Sequence, residues 1–239
     1  MEIQQIQQTT RQVPLTFRVV GTGNSAGTDK TITLTDFHAV VAGYTGRDPE
    51  AVQHHIDELA AIGVAPPPEV PMFYRMDSDL FETSGEHDTS QNLTSGEIEP
   101  LYIRHDGKFY LGIGSDHTDR DIEARDIGDS KRACPKPVAG EVIAVENLEG
   151  LDLDNCTARS WVDGELYQEG PLSGLRKPAD VVERLLARTD IGDADFMCLG
   201  GTLPLLKGKF VDGTSWKLEL SFPNGTTIEH NYKIKKGSL

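Results

Sequence analysis

Cysteine is scarce, and cations are outnumbered. Three cysteines stand among 239 residues, Cys134, Cys156 and Cys198. They are odd in number and show no CxxC spacing, which argues against a disulfide framework or a cysteine zinc site and fits a reducing cytoplasm. Each reads as a small core residue. Lys plus Arg number 23 against 38 Asp plus Glu, a formal net charge of −15. A chain this short of cations offers no basic face for nucleic acid or for an anionic membrane surface. An anionic small substrate is not excluded, because one buried cation reverses the sign of a site. Long apolar runs are missing too. The most apolar windows, such as Leu59–Val64, are short and broken by Gly and Pro, far from the roughly 20 residues of a membrane span. MEIQQIQQTTRQ has no basic segment leading into an apolar run, so no secretory signal is expected. There is no P-loop, dinucleotide fingerprint or GxSxG elbow. The glycines of Gly21–Gly27 have the wrong spacing and read as a turn.

What is present is mostly alternation at period two. Leu15–Val20, Lys30–Thr35, His38–Tyr44 and Met72–Arg75 read as strands. So do Val138–Val145, Ala158–Val162, Glu165–Gln168, Phe196–Gly200, Ser215–Phe222 and Thr226–Tyr232. Gly96–Ile103 and Lys108–Gly112 read as a hairpin turning at His105-Asp106-Gly107. Asp48-Pro49-Glu50 is a helix start, with Asp as cap, Pro in the first position and an acid in the first turn. That helix is expected to run to about Ile62 and stop at Gly63. Ala179–Ala187 is a second helix with one apolar face. Residues 82–95 are polar and loop-like, and Ser115–Asp129 reads as a polar, charge-dense loop or short helix. At this length one elaborate domain, or one domain with a small appendage, is the natural count.

Three clusters carry potential chemistry. Glu97 and Glu99 are two apart in a strand and share a face. Two like charges at about 4 Å cost on the order of 4 kcal/mol at an effective dielectric near 20, so a strand that keeps them there wants a cation or water. Ser115-Asp116-His117-Thr118-Asp119-Arg120-Asp121 follows an apolar strand, a common place for ligands. Its oxygens suit a hard cation, Mg²⁺, Mn²⁺ or Ca²⁺. His54, His55 and Glu58 lie at i, i+3 and i, i+4 spacings on the first helix, where a carboxylate orients an imidazole and raises its basicity. Taken singly, the same patterns also describe a solvated strand face, an acidic turn and a helix-surface pair.

Taken in order, these segments resemble the fumarylacetoacetate hydrolase superfamily over roughly residues 40–205. Gly46-Arg47-Asp48 through His55-x-x-Glu58 resembles its G-x-N-Y-x-x-H-x-x-E segment, with about three extra residues. Pro71–Arg75 resembles its P-x-F-x-K strand, Glu97-Ile98-Glu99 its E-x-E pair, and Ser115–Asp121 its N-D-x-x-x-R-D segment. Ser130-Lys131 with Cys134-Pro135 resembles its K-x-x-D-x-x-x-P segment. Trp161–Glu165 with Gln168 resembles its V-N-G-E-x-x-Q hairpin, and Gly200-Gly201-Thr202 its late G-T-P turn.

The resemblance implies a β-rich α+β fold, a mixed β-roll or barrel with short peripheral helices. It implies an N-terminal strand subdomain over residues 1–45 packed on a catalytic domain over 46–239. Glu97, Glu99 and Asp116 are then metal ligands, with Mg²⁺ the expected ion and Mn²⁺ or Ca²⁺ as alternatives. Asp48, seven residues before His55, is a possible further ligand, though helix capping explains it equally well. His55 with Glu58 forms a general-base dyad on a closing helix, and Lys131 steadies an oxyanion. Thr202, Arg75 and Arg120 surround the substrate. The implied activity is metal-dependent cleavage of a C–C bond in an acylpyruvate-like oxo acid. Decarboxylation or tautomerisation of a β-keto acid, and a non-catalytic binding protein of the same fold, are the alternatives. A cytoplasmic homodimer with a small-molecule substrate completes the expectation.

Three departures stand out. Pro100 follows Glu99, where a bulge or sheet edge is expected. The interval from Glu99 to Asp116 is too short for an intervening helix. Glu123 stands where the family's Gln follows R-D.

Overall fold

Alternating burial builds most of this protein. Along Leu15–Val20 the side chains alternate between core and solvent, and Thr227–Lys236 does the same over ten residues. The computed structural model describes residues 13–21, 30–61 and 63–237. The first twelve residues, most of the turn read at Gly21–Gly27, and the expected helix end at Ile62 lie outside the described residues.

The chain opens with β1 (Leu15–Val20), β2 (Thr31–Leu34) and β3 (His38–Gly43), then α1 (Pro49–Ala61) and β4 (Met72–Met76). Short strands β5 (Phe81–Glu82), β6 (Glu86–Thr89) and β7 (Thr94–Ser95) precede the central hairpin of β8 (Ile98–His105) and β9 (Lys108–Ser115). After it come β10 (Thr118–Asp119), α2 (Arg120–Glu123), α3 (Ile127–Arg132), β11 (Lys136–Pro137) and β12 (Glu141–Val145). The chain continues through β13 (Thr157–Val162), β14 (Glu165–Pro171), α4 (Pro178–Arg188), β15 (Phe196–Leu199), β16 (Ser215–Ser221) and β17 (Thr227–Lys236). Among the described residues no helix is long and apolar enough to cross a membrane.

Eight strands form one mixed sheet in the order β2-β1-β12-β9-β8-β15-β3-β4, and five form a second in the order β14-β13-β16-β17-β6. Strand alternation gives the first sheet two apolar faces. Val40, Ala42, Tyr102, Leu111, Phe196 and Cys198 look toward the second sheet and α4, packing with Trp216, Leu218, Val181 and Leu185. Ala39, Val41, Leu101, Ile103, Met197 and Leu199 look the other way, into the sheet's own curl, with Phe17, Leu34, Phe37 and Phe81. Strands buried on both faces read as near-continuous apolar runs, which is why HAVVAG and FMCL lack polar positions. All three cysteines are buried and free.

The pairing register brings several strand ends to one edge. Leu199, the last residue of β15, pairs with Leu101 and Val41. Gly43 at the end of β3 pairs with Met72 at the start of β4, and Ile98 at the start of β8 pairs with Ser115 at the end of β9. Residues just beyond these ends, Tyr44, Glu97, Asp116 and Gly201, therefore gather at one end of the sheet.

Two expectations are corrected here. Pro100 introduces neither bulge nor edge: the register from Ile98 to His105 is unbroken, and β8 is central. The Pro100 carbonyl accepts from Gly200, beyond the end of β15. The proline nitrogen points the same way, past the end of β15, so the β8–β9 ladder loses no hydrogen bond to it. Residues 82–95 are not simply a loop. Glu86–Thr89 forms β6, parallel to the last strand with Ile234 opposite His87, and its alternating burial was hidden by four polar side chains. The short Glu99–Asp116 interval is a plain hairpin with no helix inserted.

Candidate metal centre

The site is built on the central hairpin. Glu97 and Glu99 share the face of β8 that carries Leu101 and Ile103. Asp116 follows the last residue of β9, and its N–H donates to the Glu97 carbonyl at 3.0 Å, which continues the ladder and fixes it opposite Glu97. Gly96 allows this approach: a Cβ there would lie 2.3 Å from the Tyr232 hydroxyl and 2.6 Å from Ser115 Oγ. One carboxylate oxygen from each of Glu97, Glu99 and Asp116 lies within 4.8 Å of the others. Asp116 is fully buried and Glu99 nearly so.

Cations surround this cluster. Lys131, from α3, places Nζ directly against Asp116 Oδ2. Arg120 Nη2 lies 3.2 Å from Glu97 Oε1, while its other nitrogens bond Glu123 at 2.8 and 3.0 Å and Ser95 Oγ at 2.6 Å. Lys136 is fully buried; its ammonium donates to the carbonyls of His117, Lys131 and Cys134 and stands 3.3 Å from Asp116 Oδ1. Glu99 accepts the Gly201 N–H at 2.9 Å. Gly201 is required twice over, by φ of +103° and by a would-be Cβ only 1.7 Å from Thr45 Oγ1.

Burial pushes the Asp116 carboxyl upward, but Lys131, Lys136 and Arg120 together outweigh it and hold it at about 2. Glu97 is raised by burial despite Arg120 and Lys131. Glu99 is raised well above the usual range, first by burial and then by the Asp116 charge. Lys131 is also desolvated, yet the three carboxylates keep it firmly protonated.

The residues present fit a divalent ion. The donor set is all oxygen, which suits Mg²⁺, Mn²⁺ or Ca²⁺ rather than zinc. Asp116 Oδ1 is buried and makes no hydrogen bond, although the Lys136 ammonium is near. That oxygen feels the Lys136 charge but accepts no hydrogen bond, so it keeps lone pairs free for a metal ion.

The other expected residues divide. Thr202 sits beside the cluster but donates its hydroxyl to the Ile98 carbonyl at 2.8 Å and accepts from Gln168 at 2.9 Å, tying the late turn to β8. Arg75 is not brought in. It lies on the opposite face of β4 from Tyr74, paired with Asp190 and 3.1 Å from His38 Nδ1. Asp48 caps α1, accepting from the Glu50 N–H at 2.9 Å, and is exposed. His55 and Glu58 are 3.9 Å apart, with 60% and 62% of their side chains exposed, so the dyad stands in water outside the carboxylate cluster. His117 is buried among Thr94, Tyr232 and Trp216 and takes no place among the ligands.

Three residues complete the surroundings without having been singled out. Tyr74 sits under Lys131, whose Nζ is 5.8 Å from the ring centre. Tyr44 is hydrogen-bonded to Tyr74 and lies with its ring 6.2 Å from that of His55. Its φ of +57° is an uncommon conformation for a bulky residue, a strain typical of functional sites. Lys136 could have been noticed as a cation between two prolines in an acidic chain; the tyrosines gave no comparable signal.

A curled mixed sheet whose strand ends hold an E-x-E pair opposite an Asp defines a fumarylacetoacetate hydrolase-like fold, and solved structures bear out the fold. Fumarylpyruvate hydrolase from Pseudomonas aeruginosa, in complex with Mn²⁺ and pyruvate, aligns with a TM-score of 0.64 at 14% identity, covering 96% of this chain and 99% of that one. 5-Carboxymethyl-2-hydroxymuconate delta-isomerase from Mycobacterium smegmatis aligns at 0.54 and 13%, covering 90% and 88%. A 2-keto-3-deoxyarabinonate dehydratase aligns at 0.55 and 16%, covering 84% and 75%. The chain itself belongs to the family described as "Protein of unknown function (DUF2848)", whose model matches residues 42–232. No curated protein matches it.

Proposed function

We propose that this protein is a divalent-metal-dependent enzyme that hydrolyses a C–C bond in an acylpyruvate-like oxo acid. The observation that carries the reading is the convergence of Glu97, Glu99 and Asp116 within 4.8 Å, largely out of water, with one Asp116 oxygen accepting no hydrogen bond. The likeness in fold to a hydrolase that binds Mn²⁺ and pyruvate supports it. The three carboxylates would hold Mg²⁺ or Mn²⁺, which supplies Lewis-acid polarisation to the substrate's oxygens.

This chain's residues account for the rest. The Lys131 ammonium spends one of three donors on Asp116, and its others steady the oxyanion that develops at the substrate carbonyl. His55, with Glu58 3.9 Å away on the same helix, takes a proton from water. The water oxygen bonds to the acyl carbonyl carbon, and the adjacent C–C bond breaks. Its electron pair stays with the pyruvate fragment as an enolate, which takes a proton back at carbon, so the products are a carboxylic acid and pyruvate. For this step α1 moves inward. It buries only Val52 and Ile56 and has little packing to give up.

The exposure of His55 and Glu58 also favours a second reading. Decarboxylation or tautomerisation of a β-keto acid needs no activated water, and the carboxylates with Lys131 would suffice. The test is a screen of acylpyruvates, oxaloacetate and related β-dicarbonyl acids with Mg²⁺ and Mn²⁺. Pyruvate release from an acylpyruvate supports hydrolysis, and CO₂ release from oxaloacetate supports the second reading. Metal binding without turnover of any of them leaves a non-catalytic binding protein.

A further inference from the structure

Of the three carboxylates Glu97 opens most to water: its side chain is 14% exposed, while Glu99 is 3% exposed and the Asp116 side chain is fully covered. Beside Glu97 stands Arg120, and the Phe210 ring is stacked on its guanidinium, 3.8 Å from Cζ to the ring centre. Phe210 therefore lies within about 9 Å of the Glu97 carboxylate. Phe210 is itself 45% exposed. Among the described residues five large apolar side chains are exposed, and four of them are Leu93, Leu206, Phe210 and Val211. They stand on two joined segments. Thr94 donates its N–H to Asp212 at 3.3 Å, and Lys236 bridges the Asn92 carbonyl and Asp212. Arg120 donates its own N–H to the Leu93 carbonyl, which brings this patch to the rim of the site.

The buried cations around this opening are already engaged. Arg120 is committed to Glu97, Glu123 and Ser95 and covered by Phe210. Lys131 and Lys136 face Asp116. An acyl group ending in a carboxylate would meet apolar side chains, and the buried cations nearby are either paired or, in Lys131, already given to the oxyanion, so its charge would lose water without a buried partner.

We propose that the acyl end of the substrate is apolar, an aromatic or branched alkyl group, and that it rests on Phe210, Leu93, Val211 and Leu206. This deepens the acylpyruvate reading and rests on it. The occupant is assigned as substrate because the patch is continuous with the carboxylate cluster through the Phe210–Arg120–Glu97 contacts.

The test compares kcat/KM for benzoylpyruvate, fumarylpyruvate and acetylpyruvate with the Mn²⁺-loaded protein. Benzoylpyruvate is expected to exceed acetylpyruvate by about tenfold, the scale of modest apolar burial at a partly open surface, with fumarylpyruvate below benzoylpyruvate. Phe210→Ser should lower the benzoyl-to-acetyl ratio by about tenfold. Leu93→Ser, whose side chain makes no stack on Arg120, should lower it in the same direction. A preference for fumarylpyruvate, or a ratio that neither variant changes, overturns the inference while leaving the hydrolase reading standing. So does a sedimentation shift from dimer to monomer in both variants with the ratio unchanged, which would make the patch a contact between copies. Turnover of none of the three overturns both.

Discussion

The ammonium of Lys131 rests against Oδ2 of Asp116, and neither group has appreciable access to water. A buried pair like this is held by its mutual attraction and by the groups that saturate both ends; removing one partner strands the other. Lys136, 3.3 Å from the second Asp116 oxygen, softens that penalty. Lys131→Met is therefore expected to destabilise the protein by about 3 kcal/mol, read from the urea midpoint. It should also abolish turnover. An unchanged midpoint would show that the pair contributes nothing to folding.

The raised carboxyls set a pH dependence. Glu97 and Glu99 are pushed up by burial, so the metal-free folded state keeps protons that the unfolded chain releases above about pH 4.5. With more protons on the folded side, the stability of the metal-free protein falls as pH rises through that window. A divalent ion competes with those protons and binds better as pH increases. Asp116, held at about 2, stays ionised throughout the window, so its stabilisation is constant there and is lost only as pH falls below about 4. The rise in Tm on adding Mn²⁺ should therefore grow between pH 5 and pH 7.5. A rise that is flat or shrinks with pH contradicts the ligand assignment.

Gly201 couples backbone geometry to a ligand. Its N–H holds Glu99, its φ is +103°, and Thr45 fills the space where a Cβ would stand. Gly201→Ala should cost at least about 2 kcal/mol by thermal unfolding and weaken Mn²⁺ binding by about tenfold or more. A well-folded variant with native Mn²⁺ affinity would remove Gly201 from the account.

His55 separates folding from chemistry. Its side chain is mostly in water, so His55→Ala should leave Tm within the range of a surface substitution, about 0.5 kcal/mol either way. Metal binding should persist, and acylpyruvate hydrolysis should fall by about a hundredfold or more. Unchanged hydrolysis would refute the base assignment and favour the reaction that needs no activated water.

Much of the site is legible in the chain because strand geometry is local. Glu97 and Glu99 share a face by alternation alone, and a hairpin that returns to Ser115 must bring Asp116 near them. Lys131 came from the order of short segments rather than from any local pattern. Arg75 shows where such reasoning stops: a one-residue step along β4 puts it on the far face with Asp190, while Tyr74 takes the pocket side. Tyr44 depends on strand ends meeting across the sheet, which no local period encodes. Strand β6 was missed for a related reason, since EHDT is polar throughout and is held by pairing with the distant β17.

The central claim is that Glu97, Glu99 and Asp116 together hold one divalent ion. Calorimetric titration of the metal-stripped protein with Mn²⁺ at pH 7.5 tests it directly, alongside Glu99→Gln, which keeps the volume and an acceptor for the Gly201 N–H. One equivalent should bind to the wild-type protein, and the variant should lose affinity by about a hundredfold or more. Absence of binding to the wild type, or equal binding to both, would contradict it.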